Sequence, residues 1–251
     1  FRQVFPGVAT REGGRVRAFD ERTTIGLMLG QALGRNAPCK EAVRRAQLEL
    51  GMDVSASTAA FCKARGRVLP STLEGMSARL SAEADALCGL DGFSGVWALD
   101  GTTFQASDTE ENRREWPYAS GPKPGCGFPV VGAMVAHSLV GRGSSVLATA
   151  PWSAHDFRLY VEASGRFKAG ELHVGDRAFC SFAAFAILSE AGADGIFRGN
   201  DWCRRRHRDD VTLGPGDRLT KWEKRRSKRS MTVPAERRAG FPDEITARVR
   251  T

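Results

Sequence analysis

The sequence predicts an α/β fold: a mixed five-stranded sheet flanked by helices, with an N-terminal helical unit before it and the start of a β-rich insertion after it. Three observations predict this. Apolar residues recur at helical spacing as far as about Cys88, and from Val96 the pattern becomes short apolar runs between turns. Those runs order as three strands, a helix, a strand, a helix and a strand. A strand–helix–strand crossover makes parallel neighbours, which places the first and fourth strands side by side.

Composition narrows the class. The chain has 251 residues, 41% of them hydrophobic, enough for one sizeable core and a smaller unit. No run of about 18 apolar residues occurs, so no membrane span is expected. No charged-then-apolar leader opens the chain, and a start at Phe1 rather than Met points to an incomplete N-terminus. Cysteines stand at 39, 62, 88, 126, 180 and 203 without a Cys-x-x-Cys pair. That usage points to reduced thiols in a cytoplasmic protein, and Cys203 with His207 lacks the second pair a zinc site needs. The formal net charge is +8. Much of it is local: between Asp201 and Arg229 stand 11 Lys and Arg against 5 Asp and Glu. A basic chain favours a polyanionic partner.

Residues 1 to about 22 read as loop. Helices follow at about Thr23–Leu33, closed by Gly34, and Pro38–Leu50, closed by Gly51. A third begins after Ser57, and a fourth opens on Ser71-x-x-Glu74, a capping box behind Pro70. Residues 1–92 are thus expected to be a helical unit with a possible DNA contact. Lys63, Arg65 and Arg67 give it a basic edge, which reads first as a solvated face and second as a grip on DNA.

The segment 93–200 carries the sheet. Strands are expected at Val96–Asp100, Pro129–Ser138 and Ser145–Ala150, forming an antiparallel meander across the polar connection Phe104–Lys123. A helix from His155 to about Phe167, a strand Leu172–Asp176, a Ser181-capped helix ended by Gly192 and a strand Asp194–Arg198 complete the set. After Asn200 the core pattern stops. Residues 201–251 read as a basic, β-rich insertion, incomplete, with Ile245, Ala247 and Val249 alternating as in a strand.

Two strands share one chemical feature. Val96 and Ala98 stand in phase with Asp100, and Leu172 and Val174 with Asp176. Both strands are expected to end on a carboxylate, the first turning sharply at Gly101. An aspartate at the end of a core strand is costly unless it has a partner such as a metal ion. The bland alternatives are a turn residue for Asp100 and an ion pair with Arg177 or a helix start for Asp176. His155-Asp156 reads first as a helix N-terminus, with Asp156 favourable to the dipole, and second as a contact with the site or the DNA. Asp108, Glu110 and Glu111 read as a solvated loop, and His137 and His173 as packed strand residues.

The chain resembles DDE transposases of the insertion sequence 4 family, which have an RNase H-like catalytic core. Leu99-Asp100-Gly101-Thr102-Thr103 resembles the first-aspartate motif, and Asp108-Thr109-x-Glu111-Asn112 resembles the family's Asp-Thr-x-Glu-Asn stretch. Gly125-Cys126-Gly127-Phe128-Pro129 is similar to the segment before the second strand. Val174-Gly175-Asp176-Arg177-Ala178-Phe179 is similar to the second-aspartate motif, with Ala178 where Gly is usual. The helical lead-in Thr58–Arg65 is also similar. The family's third carboxylate, in a Tyr-x2-Arg-x3-Glu-x6-Lys signature, has no counterpart here. Glu190, Glu223, Glu236 and Glu244 do not fit it, so the resemblance implies a C-terminally truncated chain.

What the resemblance implies is a DNA transposase with Asp100 and Asp176 as catalytic residues and ligands of Mg²⁺, with Mn²⁺ as a substitute. Its partners would be double-stranded DNA, both terminal inverted repeats and target, and further copies of itself in a synaptic complex. It would work in a bacterial cytoplasm, on the nucleoid when bound to DNA. Hard carboxylate oxygens suit Mg²⁺. The basic run supplies the expected phosphate contacts: Arg204, Arg205, Arg206, Arg208, Lys221, Lys224, Arg225, Arg226, Lys228 and Arg229. Trp222, or Trp202, would stack on a splayed base. Alternatives are a catalytically inactive DNA-binding remnant and a metal-dependent nuclease of the same fold.

Overall fold

Asp20 starts the first helix by accepting the Thr23 backbone N–H on its side chain, 2.7 Å away, which satisfies one of the free donors at the helix start. This helix, α1, spans Glu21–Leu33; α2 spans Cys39–Leu48, α3 Ala59–Arg65 and α4 Pro70–Cys88. The structure is a computed structural model that describes residues 17–88, 92–118, 127–201, 209–224 and 227–250. Phe19, Leu27, Ala42, Val43, Ala46, Phe61 and Ala64 form the core of the helical unit. Ser71 lies inside the first turn of α4, not at its cap, because the helix begins at Pro70, whose fixed φ suits a first helical position.

The chain divides into two compact units, Phe1–Arg79 and Leu80–Thr251. The division falls within α4, and the segment after 201 shares a unit with the main sheet.

That sheet contains β1 (Gly95–Gln105), β2 (Val130–Ser138), β3 (Ser144–Pro151), β4 (Glu171–Gly175) and β5 (Asp194–Phe197). Their order is β3-β2-β1-β4-β5. β1–β2 and β2–β3 are antiparallel, whereas β1–β4 and β4–β5 are parallel. Helices α6 (Asp156–Ala163) and α7 (Phe182–Ala191) make the two crossovers. The result is a mixed five-stranded sheet flanked by helices, consistent with an RNase H-like α/β fold. Ser181 caps α7 by accepting the Ala184 N–H, and Gly192 ends it at φ +67°, where a residue with a β-carbon is strained.

The core lies between the sheet and these two helices. Leu99, Met134, Ala136 and Ala150 from the strands meet Phe157, Tyr160, Ala183, Ala184 and Ile187 from the helices. Leu99 is 3% exposed, so the odd-numbered positions of β1 face the helices. Val96, Ala98 and Asp100 alternate to the other face.

Three local expectations need correction. β1 does not end at Asp100; it continues through Gly101 to Gln105, paired to β2 over Trp97–Gln105. The polar connection holds a short helix, α5 (Glu110–Glu115), capped by the Thr109 side chain. His137 is exposed beside Ser144, because its strand position faces away from the core, whereas His173 is buried.

A second, three-stranded antiparallel sheet has the order β6-β7-β8, with β6 at Val211–Gly214, β7 at Asp217–Glu223 and β8 at Glu244–Arg250. Short helices α8 (Lys228–Thr232) and α9 (Ala235–Ala239) join β7 to β8. Val233 and Phe241 are buried in the main core, with Ile245 packed against it. Among the described residues, no helix is long and apolar enough to cross a membrane.

Candidate functional site

The parallel ladder between β1 and β4 sets the geometry. Val96 pairs with Leu172, Ala98 with Val174 and Leu99 with Gly175. One further step brings Asp100 level with Asp176, the first residue after β4. Neighbouring strands lie about 4.8 Å apart, so two carboxylates 76 positions apart in the chain become neighbours across one strand gap. Both are exposed. Asp176 also forms a local turn, its Oδ1 accepting the Ala178 N–H at 2.6 Å. Asp100 has no hydrogen bond or ion pair with any described residue.

A third carboxylate enters from the helical side. Asp156 occupies the first position of α6, and its carboxylate rests where a β-carbon of Gly101 would be. Gly101 is therefore needed for close approach, not for a turn. Burial, followed by the negative charges of Asp100 and Asp176, pushes the Asp156 carboxyl above the usual aspartate range, and His155 opposes the shift. The Asp156 carboxylate makes no hydrogen bond or ion pair with a described residue. The sequence favours a helix start for it over a contact with the site or the DNA; an Asp at a first helical turn carries no sign that a glycine on another strand lies beneath it.

Beside Asp156 opens a cavity of about 300 Å³, lined by Gly101, Thr102, Thr103, Gly132, Trp152, Ala154 and Leu159. Asp100 and Asp176 are not part of that lining. Among the described residues, no three His, Cys, Asp or Glu side chains converge as a metal-binding group. The donor chemistry nevertheless fits Mg²⁺, which keeps several waters and takes one or two protein carboxylates together with substrate phosphates. Asp100 and Asp176 meet that requirement, and Asp156 adds negative charge nearby.

A buried polar network lies at the other end of β4, where Glu171 pairs with Gly95. Glu171 Oε1 accepts from Trp97 Nε1 at 3.2 Å. Its Oε2 accepts the Lys168 N–H at 2.9 Å and lies 3.1 Å from His173 Nε2. Burial alone would raise the Glu171 carboxyl, but hydrogen bonds from His173 and the Lys168 backbone outweigh it and hold the group below the usual range.

The basic run is divided. Lys221 pairs with Glu244 at 2.8 Å. Lys224 Nζ donates to the carbonyls of Ala239 and Phe241, at 3.1 and 2.8 Å. Trp222 is 5% exposed and meets Phe185 edge-on at 5.4 Å between centroids. It therefore cannot stack on a base: its strand position faces the core, and its large apolar area is worth more there. Arg204, Arg205, Arg206, Arg208, Arg225, Arg226 and the side chains of Lys228 and Arg229 lie outside the described residues, as do Trp202 and the Gly125-Cys126 part of the family-like stretch. Glu190, exposed on α7, pairs with Arg237 at 2.8 Å.

Comparison of the chain with protein-family models, with curated proteins and with solved structures finds no match in any of the three.

Proposed function

We propose that this chain is the core of an insertion-sequence DNA transposase that cleaves DNA and transfers strands with Mg²⁺. The observation that carries the reading is the register of β1 and β4, which sets Asp100 and Asp176 side by side at the ends of a parallel ladder. The sequence motifs around both aspartates support it. Asp100 and Asp176 would hold Mg²⁺, which would supply Lewis-acid chemistry to the reacting oxygens. The chain's own part is electrostatic and positional. The carboxylates fix the site at the sheet edge, and Arg204, Arg205, Arg206, Arg208, Arg225, Arg226 and Arg229 bind phosphate.

A second reading is a metal-dependent nuclease without strand transfer, supported by the negative charge that Asp156 adds near Asp100 and Asp176.

The test uses DNA bearing the element's terminal repeats. Cleavage with Mg²⁺, lost in Asp100→Ala and Asp176→Ala while DNA binding persists, supports an enzyme. Joining of cleaved 3′ ends to a second duplex selects the transposase; cleavage alone selects the nuclease. Binding without cleavage in Mg²⁺ or Mn²⁺ leaves a DNA-binding remnant, and absence of DNA binding rejects the transposase and the remnant.

A further inference from the structure

The cavity of about 300 Å³ beside Asp156 is lined from β1 by Gly101 and Thr103, from β2 by Gly132, and from α6 and the turn before it by Ala154, Asp156 and Leu159. Its volume is at the lower end of ligand-sized pockets, roughly 300–1,000 Å³. Two glycines leave the room. Neither Gly101 nor Gly132 has a side chain, and a β-carbon on Gly132 would press on the Ala150 and Pro151 carbonyls at 3.3 and 3.4 Å. Asp156 is the one charged residue in the lining. The other polar side chains there are Thr102, Thr103 and Trp152, and the Trp152 indole N–H already donates to the Tyr118 carbonyl at 3.2 Å. The cavity therefore holds a carboxylate and no cation to meet it.

We propose that this cavity binds a guanidinium group, which pairs with the Asp156 carboxylate. The inference uses neither DNA nor Mg²⁺ and stands apart from the transposase reading. An anion is excluded by charge, because Asp100 and Asp176 add to the negative field at Asp156. That field, together with burial, pushes the Asp156 carboxyl up, and a bound cation would relieve it. The rest of the lining selects among cations. Trp152, Ala154 and Leu159 offer no replacement for the water of a strongly hydrated ion. Mg²⁺ dehydrates reluctantly, and an ammonium is compact and strongly hydrated. A guanidinium is flat and weakly hydrated, and its paired N–H donors match a carboxylate. The group comes from a free guanidino compound or from an arginine side chain of a second copy of this chain.

The test titrates the full chain with ethylguanidinium at constant pH and ionic strength, without divalent cations, and uses ethylammonium as the comparison. The readouts are the carbon-13 signal of the Asp156 carboxyl and nuclear Overhauser effects from the ethyl protons to the Leu159 methyls. The expected result is a saturable shift with those contacts, and weaker binding of ethylammonium. Asp156→Asn keeps the space and removes the charge; it should weaken binding by roughly ten- to a hundredfold, read from the Leu159 signals. Ala154→Leu keeps the charge and fills the space, and it should weaken binding as well. Light scattering during the titration separates the sources. A mass that falls from two copies to one assigns the site to an arginine of a second copy, and a mass of one copy throughout assigns it to a free guanidino compound. Absence of a saturable shift, unchanged binding in Asp156→Asn or in Ala154→Leu, or ethylammonium binding as tightly as ethylguanidinium would each overturn the proposal.

Discussion

The carboxylate of Asp156 rests directly over Gly101, in the space a β-carbon there would fill. Gly101→Ala is therefore expected to fold, because the colliding atoms end a movable side chain, but to turn Asp156 outward. Carbon-13 titration of the side-chain carboxyl checks this: the Asp156 midpoint should drop towards its ordinary value near 3.8. An unmoved midpoint would show that the glycine has no such role.

Asp156 also predicts a pH dependence. Its folded value lies above its unfolded one, so the folded chain holds more protons there between the two. Stability therefore falls as pH rises through that window. Asp156→Asn removes the titration, so its stability relative to wild type should improve as pH rises above the ordinary aspartate value of 3.8. Solvent screening of this exposed group keeps the gain to about half a kcal/mol. Urea melts below and above that value measure it, and a flat difference would refute it.

Glu171 has the opposite sign. Its folded value is held below the unfolded one, so its stabilisation is present in full above about pH 4.5 and is lost as pH falls through the folded value. Glu171→Gln leaves Trp97, Lys168 and His173 facing a neutral amide and should cost about 1–3 kcal/mol at neutral pH. The gap to wild type should shrink in acid. Chemical denaturation at neutral and acid pH provides the comparison.

Trp222 was read from sequence as a base-stacking residue, and its burial against Phe185 and Cys180 assigns it to packing. Trp222→Ala should destabilise the second unit by about 3–5 kcal/mol. Where the variant remains folded at low temperature, its affinity for DNA should match that of wild type. A stable variant with weakened binding would return Trp222 to a DNA-contacting surface.

The strand order and the parallel pairing of β1 with β4 were legible because they follow from local periodicity and one rule of chain handedness. The alternation of Val96, Ala98 and Asp100 survives in the fold. What was not legible depended on distant neighbours. A glycine after an aspartate looks like a turn whether or not a helix stands over it, so Gly101 was assigned a bend that β1 does not make. Asp156 looks like any acidic residue at a helix start. Trp222 sits amid basic residues, and its alternation with Thr220 and Leu219 says which positions share a face but not which face is covered. The covering comes from α7, more than thirty positions earlier in the chain.

The ladder between β1 and β4 joins residues more than seventy positions apart, while β1–β2 joins residues 25 to 41 apart and β2–β3 residues 7 to 20 apart. Closing a long loop costs entropy before its contacts compensate. The hairpin meander can therefore assemble first, and a ribosome must release α6 and β4 before Asp100 can acquire its neighbour. Until then the two aspartates are separate charges on an unfinished chain, and any chemistry that needs both is withheld until the sheet is complete.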